Sequence, residues 1–287
     1  MSTPGNDPAA NPNPNRRPNW ADLGPRLASA FVLIPIVAIT LYFGGYLFAV
    51  VVGGVFAGVY REWETMVTRA PLTPLGIVLI GLVGLTGPLF FWLGILGALG
   101  VIALAAIIAI VAHGEELIWR IGGLLLTGAI IVAVLALRGT ELIGVWAGLY
   151  LATVVWMTDS AAFFTGRQIG GEKLAPDISP SKTWSGALGG LALGSSAGLI
   201  VWLIATDSPW WIGLILSAII SVLGQLGDLG ESAAKRHFRI KDSGDIIPGH
   251  GGLMDRLDSL TFGALFVLIL GTIHAGFGAV AAGLLFW

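Results

Sequence analysis

Long apolar runs, each near the length of a bilayer's hydrocarbon core, alternate with short polar breaks along most of this chain. A helix needs about 20 apolar residues to cross that core. Runs of this kind occupy 27–44, 46–66, 72–92, 94–112, 118–137, 141–158, 187–206, 210–230 and 260–286. The pattern predicts an all-α polytopic membrane protein of about nine transmembrane helices. Gly44-Gly45, Pro71, Gly94 and Pro209 punctuate neighbouring runs. Two breaks are longer and polar, 158–186 and 231–259, and both fall in the second region, 141–287. Before them lies a nearly uninterrupted apolar region, 26–140, preceded by a Pro/Asn-rich stretch, 1–25, that is too polar to pack and is expected to be a disordered tail.

Composition agrees with this division. Hydrophobic residues make up 55% of the chain and charged ones 11%, with mean hydropathy +0.86, against about 25% charged in soluble domains. With nine spans, Arg16, Arg17, Arg26, Arg61, Arg69, Arg120, Arg167, Lys173, Lys182, Lys235, Arg236, Arg239, Lys241 and Arg256 all fall on one side, and only Arg138 on the other. Cytoplasmic loops carry the excess of Lys and Arg, so the N-terminus and both polar loops are expected in the cytoplasm and the C-terminus outside. The absence of cysteine excludes disulfides, thiolate metal sites and a cysteine nucleophile. The 42 glycines suit close helix packing. Trp20, Trp92, Trp119, Trp210, Trp211 and Trp287 near span ends suit an interfacial belt.

The densest charge lies in 231–259, between two apolar runs. Gln225, Asp228, Ser232 and Lys235 fall on one helix face, flanked by Glu231. Asp255, Asp258 and Ser259 recur at helical spacing where the last run begins. Carboxylates from adjacent helices suit a hard divalent cation such as Mg²⁺, which is held by one or two carboxylates plus substrate phosphates. Ion pairs of Asp228 with Lys235 and of Asp255 with Arg256 are the structural alternative. Lys235, Arg236, Arg239, Lys241, His250 and Arg256 surround the turn Pro248-Gly249-His250-Gly251-Gly252. Such cations beside exposed glycine amides suit a polyphosphate; an anchor to anionic lipid headgroups would explain the cations but not the interleaved aspartates. In the other loop Asp159 ends a span, Arg167 and Lys173 are basic, and Ser179-Pro180-Ser181-Lys182-Thr183 forms a polar turn before the next span. No G-x-x-x-x-G-K-[ST] is present, so this turn reads equally as a phosphate site or a helix cap.

Ser232 to Asp258 reads S-x-x-K-R-x4-K-D-x-G-x-x-I-P-G-H-G-G-L-x-D-R-L-D and resembles the signature of the phosphatidate cytidylyltransferase (CDP-diacylglycerol synthase) family. Ala234 departs at a packing position. The loop from Asp159 is similar to that family's D-S-x-A-Y-F-x-G-R…L-x-P-x-I-S-P-x-K-T-x-E-G, with Phe163 and Ser185 replacing Tyr and Glu and given no role. The resemblance, which covers at least 158–259, implies nine spans and Mg²⁺-dependent attack of a phosphatidate phosphate on the α-phosphorus of CTP, giving CDP-diacylglycerol and pyrophosphate without a covalent enzyme intermediate. It implies Mg²⁺ on Asp228 and Asp255, with a second cation such as K⁺ left open. Lys182, Lys235, Arg236, Lys241 and Arg256, helped by Ser179, Ser181 and Ser232, would bind substrate phosphates. His250, Gly251 and Gly252 would steady pyrophosphate, and Asp159 would serve as a further ligand or a cap. The partners implied are CTP, phosphatidate and the lipid bilayer of a bacterial inner membrane, with no nucleic acid and a homodimer left open. The rival class is a secondary transporter for a phosphorylated or anionic substrate, which would place its ionisable residues nearer mid-bilayer in both halves.

Overall fold

The computed structural model describes residues 31, 35–112, 116–244, 246 and 251–287. The expected tail, the start of the first span, Trp20 and His250 lie outside the described residues. Helices follow the apolar runs: α1 (35–43), α2 (Gly45–Thr68), α3 (Pro74–Val111), α4 (Leu117–Arg138), α5 (Ile143–Ile169), α6 (Trp184–Ala205), α7 (Trp210–His237), α8 (Asp258–Ala275) and the short α9 (Val280–Leu285). Between α5 and α6 the chain forms an antiparallel hairpin, β1 (Lys173–Ala175) with β2 (Ser179–Thr183), the one departure from an all-α architecture among the described residues. Seven of the helices are long and apolar enough to cross a membrane. This is an all-α polytopic membrane fold.

The 38-residue α3 is two crossings rather than one. At Gly94 the backbone takes φ 64° and ψ −152°, which an L side chain resists. A Cβ on Gly97 would fall 2.3 Å from the carbonyl oxygen of Leu89, which a continuous helix would hold about 12 Å away along its axis. The chain therefore doubles back at Gly94, where the sequence separates the runs 72–92 and 94–112.

The last apolar run is not a single span. Helix α8 stops at Ala275, Gly276 turns the chain at φ 86°, and a 3₁₀ turn (Phe277–Ala279) returns α9 against α8. The Leu285 carbonyl accepts hydrogen bonds from Thr206 (2.9 Å) and Ser208 (2.8 Å), which tie the C-terminal segment to the α6–α7 connection. His274 stacks on Trp287 and its Nδ1 lies 2.8 Å from the Gly283 carbonyl oxygen. Hydropathy reads 260–286 as one run because the turn costs it no apolar residue.

The two ends of the bundle differ. At one end α2, α5 and α7 finish and α4, α6 and α8 begin. There Trp63 Nε1 donates to the Trp119 carbonyl at 2.9 Å, and Arg120 grips Glu64 through Nε and Nη2, the closest contact 2.7 Å. At the far end Arg138, 4% exposed, donates to the carbonyl oxygens of Leu41, Tyr42, Gly139 and Glu141, joining the end of α1 to the end of α4. Trp92, Trp210, Trp211 and Trp287 are exposed, as an interfacial belt requires. Trp119 is not part of that belt: it packs on Trp63, His237 and Phe238.

Candidate active site

Helix ends deliver the chemistry to the first of these faces. Close approach of α5 and α6 brings Asp159 to the hairpin: a Cβ on Gly194 would lie 2.0 Å from Thr158 Oγ1, so only glycine permits this contact. Thr183 caps α6 by accepting from the Gly186 N–H at 3.1 Å, and the hairpin before it aims Lys182 across at α7. Lys182 Nζ lies 2.6 Å from Asp228 Oδ2. The turn is thus both a cap and a carrier of a charged side chain. Asp159, Arg167, Lys173, Ser181, Lys182 and Asp228 line a cleft of about 610 Å³. The negative charge of Asp228 acts on both Asp159 and Asp258. The Ser259 hydroxyl sits between those two, 3.1 Å from Asp159 Oδ1 and 3.4 Å from Asp258 Oδ1.

Beside the cleft, Asp255 occupies a 3₁₀ turn (Met254–Arg256) ahead of α8. Its Oδ1 receives Lys235 Nζ at 2.5 Å, and its Oδ2 receives the Ser243 hydroxyl at 2.8 Å and the Ser243 N–H at 3.3 Å. Burial alone would raise this carboxyl, but hydrogen bonds, led by that from Lys235, hold it below the ordinary value. Lys235 also faces the buried Glu231 at 3.1 Å, an ion pair without hydrogen-bond geometry. Met66, Val67, Ala234, Phe238 and Met254 form an apolar cluster that fixes the end of α7 and the 3₁₀ turn against α2.

The face stripe expected along α7 therefore divides. Gln225, which donates to the Ala187 carbonyl at 3.3 Å, and Asp228 face α6 and the hairpin, whereas Glu231 and Lys235 face the 3₁₀ turn and α8. Asp228 and Asp255 have separate ammonium partners, Lys182 and Lys235, and not the pairings with Lys235 and Arg256 that spacing offered. Among the described residues no three His, Cys, Asp or Glu side chains converge as a metal-binding group. Arg236 donates to the Ile178 carbonyl at 3.2 Å and the Ile240 carbonyl at 3.0 Å, splinting the two polar loops. Lys241 and Arg256 are exposed, Ser232 is half-buried, and Ser179 pairs with Ala175 in the hairpin. Gly251 takes φ +81°, and a side chain on Gly252 would collide with the Ser243 hydroxyl. Phe163 is exposed beneath the Arg167 guanidinium, and the Ser185 hydroxyl bonds to the Gly170 carbonyl.

Sequence reasoning missed the acids of α2. Glu62 and Glu64 are each 1% exposed. Glu64 is the partner of Arg120, and Glu62 accepts the N–H groups of Leu253 (2.9 Å) and Met254 (2.7 Å). Two glutamates near the end of an apolar run were the available signal, since carboxylates are almost never fully buried unless paired.

The Cytidylyltransferase family model matches residues 25–274. A phosphatidate cytidylyltransferase of Brucella suis biovar 1 (strain 1330) is 45% identical over 158 residues, covering 55% of this chain and 58% of that protein. That of Bacillus subtilis (strain 168) is 44% identical over 135 residues, 47% of this chain and 50% of the relative. That of Staphylococcus saprophyticus is 48% identical over 115 residues, 40% and 44% respectively. The chain spans little more than half the length of the curated relatives it matches. With most of its length matched by the family model, the chain belongs to the cytidylyltransferase family.

Proposed function

We propose that this protein transfers a cytidylyl group from CTP to phosphatidate at the cytoplasmic face of a bacterial inner membrane, releasing pyrophosphate and leaving CDP-diacylglycerol. The observation that carries the reading is the cleft in which Lys182 meets Asp228, with Arg167, Lys173 and Ser181 on its walls, in a chain of this family. A phosphate oxygen of the lipid attacks the α-phosphorus of CTP, and the bond to the bridging oxygen of the β-phosphate breaks. Such transfers require positioning and charge neutralisation more than a covalent nucleophile. The cations at the cleft serve that end, and its place at the helix ends lets a water-soluble nucleotide meet a lipid headgroup. The basic excess at this face supports a cytoplasmic orientation for it and for the N-terminus.

The oxygen-rich set fits Mg²⁺. Asp228 stands near Asp159 and Asp258, so the carboxylates there exceed the Lys182 ammonium that offsets them. Asp228 and Asp255 would hold the ion together with substrate phosphates. When bound, it would supply Lewis-acid polarisation of the phosphoryl oxygens. The chain's own share is to neutralise Asp228 with Lys182 until substrate binds, and to keep Asp255 ionised through Lys235 and Ser243.

Purified protein given labelled CTP and phosphatidate in mixed micelles should form CDP-diacylglycerol and pyrophosphate in equal amounts; no product would overturn the reading. Asp228→Asn and Asp255→Asn should each abolish turnover while the protein still inserts and folds. Near-normal turnover of either variant at saturating Mg²⁺ would remove that residue from the cation site.

A further inference from the structure

We infer that Glu62, on α2, is a positioning residue that holds Ser243, Leu253 and Met254 in place and so fixes Asp255. The inference rests on the proposed function for its kinetic arm alone. Glu62 is buried to 1% exposure, and no cation lies against it among the described residues. A buried carboxylate in that condition must be satisfied by hydrogen-bond donors. Among the described residues, the donors to its side chain are Ser243, Leu253 and Met254. Leu253 N–H reaches Oε1 at 2.9 Å, Met254 N–H reaches Oε2 at 2.7 Å, and the Ser243 hydroxyl lies 3.2 Å from Oε2.

These are groups the loop cannot satisfy alone. Leu253 and Met254 open the 3₁₀ turn that carries Asp255, and that turn has no side-chain cap of its own. Unpaired N–H groups at such an end need an acceptor, and Glu62 supplies it across 192 residues of sequence. The contact continues into the site. Ser243 stands between the two carboxylates, 3.2 Å from Glu62 and 2.8 Å from Asp255 Oδ2, and Asp255 in turn holds Lys235. The single hydroxyl proton of Ser243 is shared between these carboxylates, so a line of polar contacts leads from α2 through Ser243 and Asp255 to α7.

Glycine placement points the same way. A Cβ on Gly252 would fall 1.8 Å from Ser243 Oγ, 2.8 Å from Asp255 Oδ2 and 3.0 Å from Glu62 Oε2. A Cβ on Gly244 would fall 2.9 Å from Glu62 Oε1. Both positions are bare where Glu62 enters. Glu64, two residues on, pairs instead with Arg120. One helix end therefore carries two buried acids with different duties, Glu64 joining helix to helix and Glu62 joining helix to loop.

The test compares Glu62→Gln with Glu64→Gln in the full-length protein in detergent, with two readouts. The first is limited trypsin cleavage at the exposed Lys241, which needs no substrate. Glutamine keeps the shape of Glu62 but turns an amide donor toward backbone donors. Glu62→Gln should speed cleavage there at least tenfold, while Glu64→Gln leaves the rate of cleavage of the folded protein unchanged. The second is kinetics with CTP and phosphatidate. Glu62→Gln should lower kcat about tenfold to a hundredfold with the KM for CTP within twofold of the parent, and Glu64→Gln should lower stability but not turnover per folded molecule. Should Glu62→Gln fail to accumulate, Ser243→Ala, which removes only the bridging hydroxyl, should show both effects at smaller size. Unchanged cleavage of the Glu62 variant overturns the inference. Faster cleavage with unchanged turnover also overturns it, reducing Glu62 to a loop anchor. A parent protein inactive on CTP and phosphatidate would refute the proposed function and leave the cleavage result to decide whether the clamp exists.

Discussion

Lys182→Met removes the ammonium from the cleft while keeping the side chain's length and apolar stem. Lys182 Nζ is 2.6 Å from Asp228 Oδ2. At an effective dielectric constant of 20 the bare attraction at that distance is about 6 kcal/mol. The two side chains are 24% and 31% exposed, however, so solvent screening and the cost of dehydration cancel most of it. What survives is about 1.5–2 kcal/mol, within the range for a hydrogen bond to a charged group. On the proposed function Lys182 would exchange Asp228 for a substrate phosphate on loading, so a contact of similar strength would be lost there. The expected result is a fall in kcat/KM of about tenfold to thirtyfold, measured with labelled CTP in phosphatidate micelles. Values within twofold of the parent for both substrates would refute the argument and leave the hairpin with its capping role alone.

Arg120→Ala strands the buried Glu64 carboxylate and should lower folding stability by about 3–5 kcal/mol, read from reversible unfolding in mixed detergent; a loss under about 1 kcal/mol would show that the pair is replaceable. Gly252→Ala drives a methyl into the Ser243 hydroxyl, so turnover should fall at least tenfold with the helices intact by circular dichroism, and normal turnover would mean the loop relaxes freely. Because the chain has no cysteine of its own, single cysteines at Arg69, Lys173, Arg239 and Trp287 report topology cleanly. The first three should react only from the cytoplasm and the last only from outside, and a cytoplasmic Trp287 would break the proposed orientation.

The membrane-spanning architecture was legible because the driving property, apolar length, is local in sequence. Even the reversal at Gly94 showed as a glycine between two runs. Gly276 showed nothing comparable, since the residues beyond it are as apolar as those before and only tertiary packing returns α9 onto α8. At the site, Asp228, Asp255, Lys182 and Lys235 stood out as charge beside apolar runs. Their pairing did not, because a salt bridge such as Lys182 with Asp228 is set by helix approach and not by spacing. Glu62 and Glu64 were hidden by the same limit: their partners lie 56 and more than 180 residues away, and nothing local distinguishes a buried acid at a span end from a solvated one.

Arg138 alters what the far face presents to a lipid surface. In the sequence it is the single exception to a one-sided distribution of cations, yet its guanidinium is enclosed by four carbonyl oxygens and 4% exposed. Among the described residues, the far face therefore offers no accessible cation to water or to lipid headgroups. An exposed Lys or Arg near an anionic leaflet is attracted by about 1 kcal/mol. With the accessible Lys and Arg side chains gathered at the opposite face, only that face can be held to anionic headgroups through cations, and the far face is left to its tryptophans.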